Sequence, residues 1–218
     1  MVTTLAISKY VNSLLEVETK FSAQQAVSNR FFSEWYEDLP ELTEVEKERC
    51  NLLKERYLYH RHHGHISEGL VNQIAIAPLL EMASFYDPPF DIRAEYSVQI
   101  ESVDFDENEE TTYQGRIDTL VIHKKLWVLV IESKGQAFSI ESGMAQALTY
   151  YMLDSPNQSL PTYGFISNGG FSIFLKVLKG EITQYQFSND FSLYNRTTNE
   201  LCSVLQILKK ISGLFQQT

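Results

Sequence analysis

Three charged side chains in an otherwise apolar stretch, Gly115 to Gly135 (GRIDTLVIHKKLWVLVIESKG), could do chemistry together: Asp118, Glu132 and Lys134. The stretch reads as a hydrophobic hairpin with its turn near Lys124-Lys125-Leu126, which brings Asp118 and Glu132 opposite, or nearly opposite, each other on antiparallel strands. Period-two alternation puts Glu132 and Lys134 on one face, and an even register adds Asp118 to it. Directly opposed side chains have Cβ atoms roughly 4.5–5.5 Å apart. Carboxylates that close repel unless a cation joins them. A hard divalent ion such as Mg²⁺ suits the pair, because it takes oxygen ligands and keeps several waters. The Lys134 ammonium beside such an ion would steer its water or offset charge growing on a phosphate.

The elements that must position these residues follow from the pattern along the chain. The first 60 or so residues read as helical. Thr43-Glu44-Val45-Glu46 fits a capping box, and the helix that it opens, through Lys54–Tyr59, has Val45, Leu52, Leu53 and Tyr57 as its apolar stripe. Tyr59-His60-Arg61-His62-His63-Gly64-His65 reads as a polar linker, with a transition-metal site among its histidines as the lesser reading. Ser67 caps a further helix from Glu68 to about Phe85, which Pro78 should kink or restart. Strands are then predicted at Arg93–Glu101, Gly115–His123 and Leu126–Ser133, with an acidic loop, Asp104–Glu110, between the first two. A helix around Gly143–Leu153 follows. Strands at Tyr163–Ser167 and Phe171–Val177 flank the turn Asn168-Gly169-Gly170, a short strand covers Ile182–Phe187, and an amphipathic helix runs from Leu201 to Phe215. Strands bracketed by helices predict an α/β or α+β sandwich with a mixed sheet.

Composition bounds the rest. The 218 residues, 44% hydrophobic and 21% charged, describe an ordinary globular chain long enough to bury a core. No apolar run approaches the roughly 18 residues of a membrane helix, and the start has no signal-peptide pattern, so no membrane partner and a cytoplasmic location are expected. Cys50 and Cys202 are far apart in sequence and lack metal-ligand spacing. The net charge of −10 disfavours tight non-specific binding to nucleic acid. Much of the acid is local, however, and Arg116, Lys124, Lys125, Lys134 and Lys176 are candidates for a basic surface on the hairpin side.

The order of these residues resembles the PD-(D/E)xK nuclease superfamily, in particular the N-terminal nuclease region of type I restriction enzyme R subunits and their short, free-standing relatives. The resemblance spans roughly Ser67 to Val177. Glu68 stands where that family has an acid opening a helix, ahead of Pro78-Leu79-Leu80. Asp118 matches the family Asp, Glu132 and Lys134 its D/E-x-K pair, Gln146 and Tyr150 a Gln-x-x-x-Tyr motif, and Ser167-Asn168-Gly169 its following turn. Ile117 replaces the signature Pro, and the 218 residues contain no motif read as a motor region. The resemblance implies a restriction-endonuclease-like α/β core, a mixed β-sheet flanked by helices, over residues 67–218 with a C-terminal helix, after an N-terminal helical extension, 1–66. It implies Mg²⁺-dependent hydrolysis of DNA phosphodiester bonds, with Mn²⁺ a substitute. Asp118 and Glu132 would hold the metal, with the Ser133 carbonyl as a further ligand. Lys134 would position the attacking water, Glu68 would act through water or a second metal, and Gln146 and Tyr150 would orient the scissile group.

Each residue also has a plainer reading. Asp118 could pair with Arg116, and Glu132 with Lys134 could be a strand-end ion pair. Glu68 suits a helix start through the macrodipole alone, and Glu81 on the same helix is a rival. Gln146 and Tyr150, at i and i+4, could be a polar edge and a core tyrosine. Phe31, Phe32, Trp35 and Tyr36 read as packing, Trp127 and Phe171 as sheet-face core. Two other functional classes stay open: a non-cutting nucleic-acid-binding or assembly module that retains the nuclease fold, and an interaction protein whose helical extension docks a second copy or a separate protein. RNA stays open beside DNA.

Overall fold

The computed structural model describes residues 3–6, 11, 13–104, 109–135, 140–158 and 160–216. Contrary to expectation, the N-terminal segment is not helical throughout. It forms β1 (Thr3–Ala6), α1 (Leu14–Phe21), β2 (Ala23–Gln25), a 3-10 helix (Asn29–Trp35) and α2 (Glu44–His63). β1 and β2 are too short to carry a periodicity of their own. Ladder bonds to β4 and β8, each in parallel, decide their conformation.

The capping box at Thr43 is present. The Glu46 N–H donates to Thr43 Oγ1 at 3.3 Å, and the Thr43 N–H donates back to Glu46 Oε2 at 2.8 Å. α2 then runs through His60, His62 and His63, which the sequence suggested as linker. Their exposed rings occupy its last turn, where basic groups suit the negative end of the helix dipole. The buried stripe is Cys50, Leu53 and Tyr57, at helical spacing. Val45 and Leu52, expected in that stripe, lie off it and are exposed.

Ser67 caps α3 (Glu68–Val71) by accepting from the Leu70 N–H at 3.3 Å. The helix continues through a π-helical stretch, Asn72–Ile76, into α4 (Ala77–Met82), with Pro78 in the first turn of α4. The restart expected at Pro78 therefore occurs, and the helical segment ends before Phe85. Then come β3 (Asp91–Asp104), β4 (Glu109–His123), β5 (Leu126–Ser133), α5 (Ile140–Asp154) and β6 (Thr162–Ser167). β7 (Phe171–Leu178), β8 (Thr183–Phe187), β9 (Phe191–Ser192) and α6 (Glu200–Gln216) complete the chain. The centre of the acidic loop, 105–108, lies outside the described residues.

The result is a mixed sheet of nine strands among the described residues, in the order β1–β4–β5–β6–β7–β8–β2, with β3 beside β4 and β9 beside β7. β5 and β6 are parallel, joined through α5, and β5 is buried from Trp127 to Ser133. That explains its unbroken apolar run, since a central strand covered on both faces has no solvent side to mark. On one face, Tyr57, Leu79, Leu80 and Leu208 of α2, α4 and α6 pack against Ile131 and Phe165. On the other, Leu148 and Tyr151 of α5 and Val17 of α1 pack around Ile166. A mixed α/β sheet flanked by helices was expected, and one forms.

Several side chains depart from their sequence reading. Phe171 is half-exposed and meets Tyr194 edge-on, because it starts an outer part of β7, whereas Trp127 is core. Phe32 is core and Phe31 and Trp35 pack on it, but Tyr36 is exposed. The basic surface does not form as one field: Lys134 pairs with Glu132, Lys176 with Glu34 at 2.5 Å, and Arg116 with Glu95 at 3.5 Å. Cys50 and Cys202, distant in sequence, are neighbouring free thiols of α2 and α6. Burial first and this neighbour second push Cys50 up to about 12. No helix among the described residues is long and apolar enough to cross a membrane.

Candidate active site

The β4–β5 hairpin closes on Lys124 and Lys125, both at positive φ (+49° and +70°). The pairing begins with His123 opposite Leu126 and Ile122 opposite Trp127, then shifts by one residue, so that Val121 faces Leu129 and Thr119 faces Ile131. Val128 is the extra residue of this β-bulge. One further step of the shifted ladder sets Asp118 opposite Glu132. Without the bulge Asp118 would oppose Ile131, and the two carboxylates would point to opposite faces of the sheet.

At the open end of the hairpin, the Ser133 N–H and hydroxyl each donate to Asp118 Oδ2 at 2.7 Å. The Ser133 hydroxyl in turn accepts from Asn72 Nδ2 at 2.9 Å. Asn72 stands one helical turn after Glu68, at the first position of the π-helical stretch, and so ties the helical segment to the strand ends. Sequence reading missed it. Its signal was a carboxamide inside an apolar helical run, a residue type that is neutral to unfavourable there unless its side chain has a partner.

Glu132 is 0% exposed. Its Oε1 accepts from the Lys134 ammonium, while its Oε2 is buried without a hydrogen-bond partner. Burial first, then the Asp118 charge, push its pKa up to about 8, against the opposing pull of Lys134. The Lys134 N–H donates to the Ser167 carbonyl at 2.9 Å, which anchors the backbone just beyond β5 on β6. Glu68 is exposed in the first turn of α3. Its pKa is raised, by partial burial first and by Asp118 next, with Lys134 and Arg116 opposing, so it faces the same cluster. Its rival Glu81 is committed elsewhere, to Arg49 at 2.9 Å on the surface.

Gln146 and Tyr150 approach from α5. Gln146 Nε2 donates to Tyr150 Oη at 2.5 Å, the Tyr150 hydroxyl donates to the Arg116 carbonyl at 3.1 Å, and the Arg116 N–H donates back at 3.3 Å. Burial and then the Glu132 charge push the Tyr150 hydroxyl up to about 12. Gly143, also unnoticed in the sequence, lets α5 come this close: a Cβ there would lie 2.6 Å from Ile166 Cγ2 and 3.8 Å from both Glu132 Cγ and Lys134 Cε. On the other side of β4, Glu95 takes φ +53° between the Ala94–Thr119 and Tyr96–Ile117 pairs, a local break in the ladder alongside Asp118.

The structure thus brings two pairs together at the strand ends, Asp118 with Ser133 and Glu132 with Lys134, with Glu68 facing them and Gln146–Tyr150 bordering them. The histidine run takes no part. His63 Nδ1 donates to the Tyr59 carbonyl at 2.8 Å, and among the described residues no group of three His, Cys, Asp or Glu converges with metal-holding geometry. Two carboxylates are nonetheless what Mg²⁺ ordinarily takes from a protein, since it keeps several of its waters. A buried carboxylate oxygen without a hydrogen bond is costly as it stands. Glu132 Oε2 therefore fits an oxygen-seeking cation.

No known family model matches the chain, and no curated protein matches it. Among solved structures it is similar to a fragment assigned to the HsdR subunit of a type I restriction enzyme from Vibrio vulnificus YJ016, at 19% identity and a TM-score of 0.39. The likeness covers 68% of this chain and 26% of that one, so it spans about a quarter of the solved fragment.

Proposed function

We propose that this chain is a Mg²⁺-dependent nuclease of restriction-endonuclease-like fold that hydrolyses DNA phosphodiester bonds, with Mn²⁺ able to replace Mg²⁺. The observation that carries the reading is the orphaned Glu132 Oε2, buried at the open end of the hairpin beside Asp118 and next to a lysine. Asp118 Oδ1, Glu132 Oε2 and the Ser133 carbonyl are the oxygens that would hold the ion. Bound there, it would supply Lewis-acid polarisation of the phosphate and a water acidic enough to attack it near neutral pH. The chain's own groups do the rest. Lys134 offsets the negative charge that grows on the phosphate oxygens. Ser133, itself held by Asn72, fixes the Asp118 carboxylate from behind through two donors. Glu68 adds a third acid at the rim, reaching the site through water or a second ion. Tyr150 and Gln146 form a fixed polar border against which the scissile group is oriented.

The test is digestion of plasmid and single-stranded DNA with Mg²⁺ or Mn²⁺, wild type beside Asp118→Ala and Lys134→Ala. Loss of an electrostatic stabiliser of this kind lowers the rate by about 100-fold or more, and both variants should fall at least that far while keeping the wild-type melting temperature within a few degrees. RNA in the same assay separates a DNA enzyme from a general one. A second reading, a non-cutting nucleic-acid-binding module on the same fold, draws on the Lys134–Glu132 ion pair, which already satisfies one oxygen of that buried acid. It requires nucleic-acid binding that Glu132→Ala leaves intact and no metal-dependent cutting by wild type.

A further inference from the structure

The chain has two cysteines, Cys50 on α2 and Cys202 on α6, and the fold brings them together as free thiols. Side-chain contacts on either side of them lay the two helices against each other. One turn before Cys50, Glu46 pairs with Lys209 of α6 at 2.5 Å. Beside Cys50, Asn51 Oδ1 accepts from Asn199 Nδ2 at 2.9 Å. One turn after it, the Lys54 ammonium donates to the Thr198 carbonyl at 3.2 Å and to the Asn195 carbonyl at 2.6 Å. Later positions on α2 thus meet earlier positions of the segment that ends in α6, which is the order of an antiparallel pair. Cys50 and Cys202 fall between the two sets of contacts and pack on the same apolar cluster. The Cys202 thiol is near enough to act on Cys50 both by charge and by hydrogen bonding.

The two sulfurs differ in access. Cys50 is 0% exposed. Burial first and the Cys202 sulfur second push its thiol up to about 12, so it stays protonated and shielded from solutes. Cys202 is partly exposed and is the sulfur that a small oxidant meets first. An accessible cysteine with a second one held against it is the arrangement of an oxidisable and a resolving thiol.

We propose that Cys50 and Cys202 form a reversible disulfide when the chain meets hydrogen peroxide, and that this bond fastens α2 to α6. Cys202 Sγ attacks one peroxide oxygen, the O–O bond breaks, and a sulfenic acid and one water are formed. Cys50 Sγ then attacks the Cys202 sulfur. The S–O bond breaks, and the hydroxyl leaves with the Cys50 proton as a second water. The two thiols have given up two electrons and two protons, and the peroxide has been reduced to two waters. A small dithiol reverses the bond by exchange.

The bond closes a loop from residue 50 to residue 202 that contains every residue of the candidate active site, from Glu68 to Tyr150. A cross-link over so long a loop restricts the unfolded chain much more than the folded one, in which the two helices already touch. Oxidation therefore strengthens the fold around the site. The proposal does not depend on the nuclease reading, since it needs neither metal nor nucleic acid.

The experiment treats the reduced full chain with a small excess of hydrogen peroxide near neutral pH. Mass spectrometry of non-reduced peptides then looks for Cys50 and Cys202 joined with the loss of two hydrogens. Thermal unfolding is followed before oxidation, after it, and after addition of dithiothreitol. The expected result is a linked peptide within the monomer and a melting temperature higher by roughly 5–10 °C, with dithiothreitol reversing both. Cys202→Ser, a change at a partly exposed position, should keep the melting temperature of the reduced wild type and lose the response to peroxide. Cys50→Ser, which lacks the resolving thiol, should instead leave a sulfenic acid on Cys202 that dimedone traps. Peroxide that carries Cys202 to the sulfinic acid while wild-type Cys50 stays a free thiol would overturn the proposal. So would a link found only between two copies of the chain, or a linked peptide with no rise in melting temperature.

Discussion

Glu132 ties the chemistry of the site to pH. Its pKa, pushed up to about 8 by burial and by Asp118, lies above the value near 4.3 of an unfolded glutamate. A folded pKa raised above the unfolded one means that folding takes up a proton. The contribution is fully present below the unfolded pKa and is lost as pH rises through the folded one. Metal-free protein should therefore lose stability from roughly pH 4.3 to 8, by at most about 1.4 kcal/mol per pH unit from this group. Thermal unfolding of metal-free wild type and Glu132→Gln between pH 5 and 9 checks the sign: the difference between the two should move in favour of the variant as pH rises. A difference that stays flat means Glu132 is already ionised in the fold. The same proton opposes metal uptake, because a ligand carboxylate must be deprotonated. Mn²⁺ affinity should accordingly climb with pH and level off near pH 8, which calorimetry in buffers of different ionisation enthalpy would read as proton release below that point.

The elements explain why part of this site was legible in the sequence and part was not. The pairing of Thr43 with Glu46, the turn at Lys124–Lys125 and the alternation of Glu132 with Lys134 are all local, and a sequence displays local rules directly. The bulge at Val128 is not local. It shows only when β4 and β5 are paired, yet it is what sets Asp118 opposite Glu132 rather than Ile131. The strands β1 and β2 were invisible for a similar reason, as they borrow their conformation from edges formed elsewhere. The role of Gly143 shows only when α5 sits against Ile166. Gly143→Ala should force a Cβ into the space of a stiff, β-branched neighbour, at a cost of about 1–3 kcal/mol in stability. It should also displace Tyr150 and Gln146 from the border of the site. Gly213→Ala in α6 is the control, because nothing lies within 4 Å of a Cβ there and the change should be neutral or stabilising by up to about 1 kcal/mol. Melting curves of the two variants side by side decide it. Equal behaviour would mean that α5 adjusts freely and does not position the site.

At the scale of the whole molecule, the 3-10 helix and α2 are embedded in the same core as the central strands. Phe32, Leu53 and Tyr57 are fully or almost fully buried in a cluster that also holds Ile131 and Phe165 of the central strands. The Tyr57 hydroxyl donates to the Asn168 carbonyl at 3.2 Å, and its ring fills the space where a Cβ on Gly169 would fall, 2.3 Å from Tyr57 Cε2. The turn between β6 and β7, which the sequence marks as a hairpin, is thus shaped around a residue of α2. α2 is tied to the C-terminal helix as well, through Lys209 and Glu46 at 2.5 Å. A chain reduced to residues 67–218 would leave the faces of β6, β7 and α6 that meet α2 open to water. Each large apolar side chain removed from such a core costs about 2–5 kcal/mol, and a typical domain has only about 5–15 kcal/mol in total. The truncated chain should accordingly fail to unfold cooperatively, bind a hydrophobic dye, and lose any cutting activity along with its fold. Circular dichroism and thermal unfolding of 67–218 beside the full chain test this. A sharp transition near that of the full chain would mean that the site and its sheet stand alone, with the N-terminal segment free for another task, such as docking a partner. Tyr57→Phe gives the finer measure. It removes one buried hydrogen bond between the two parts and should cost about 1–2 kcal/mol if they fold as one, and close to nothing if they do not.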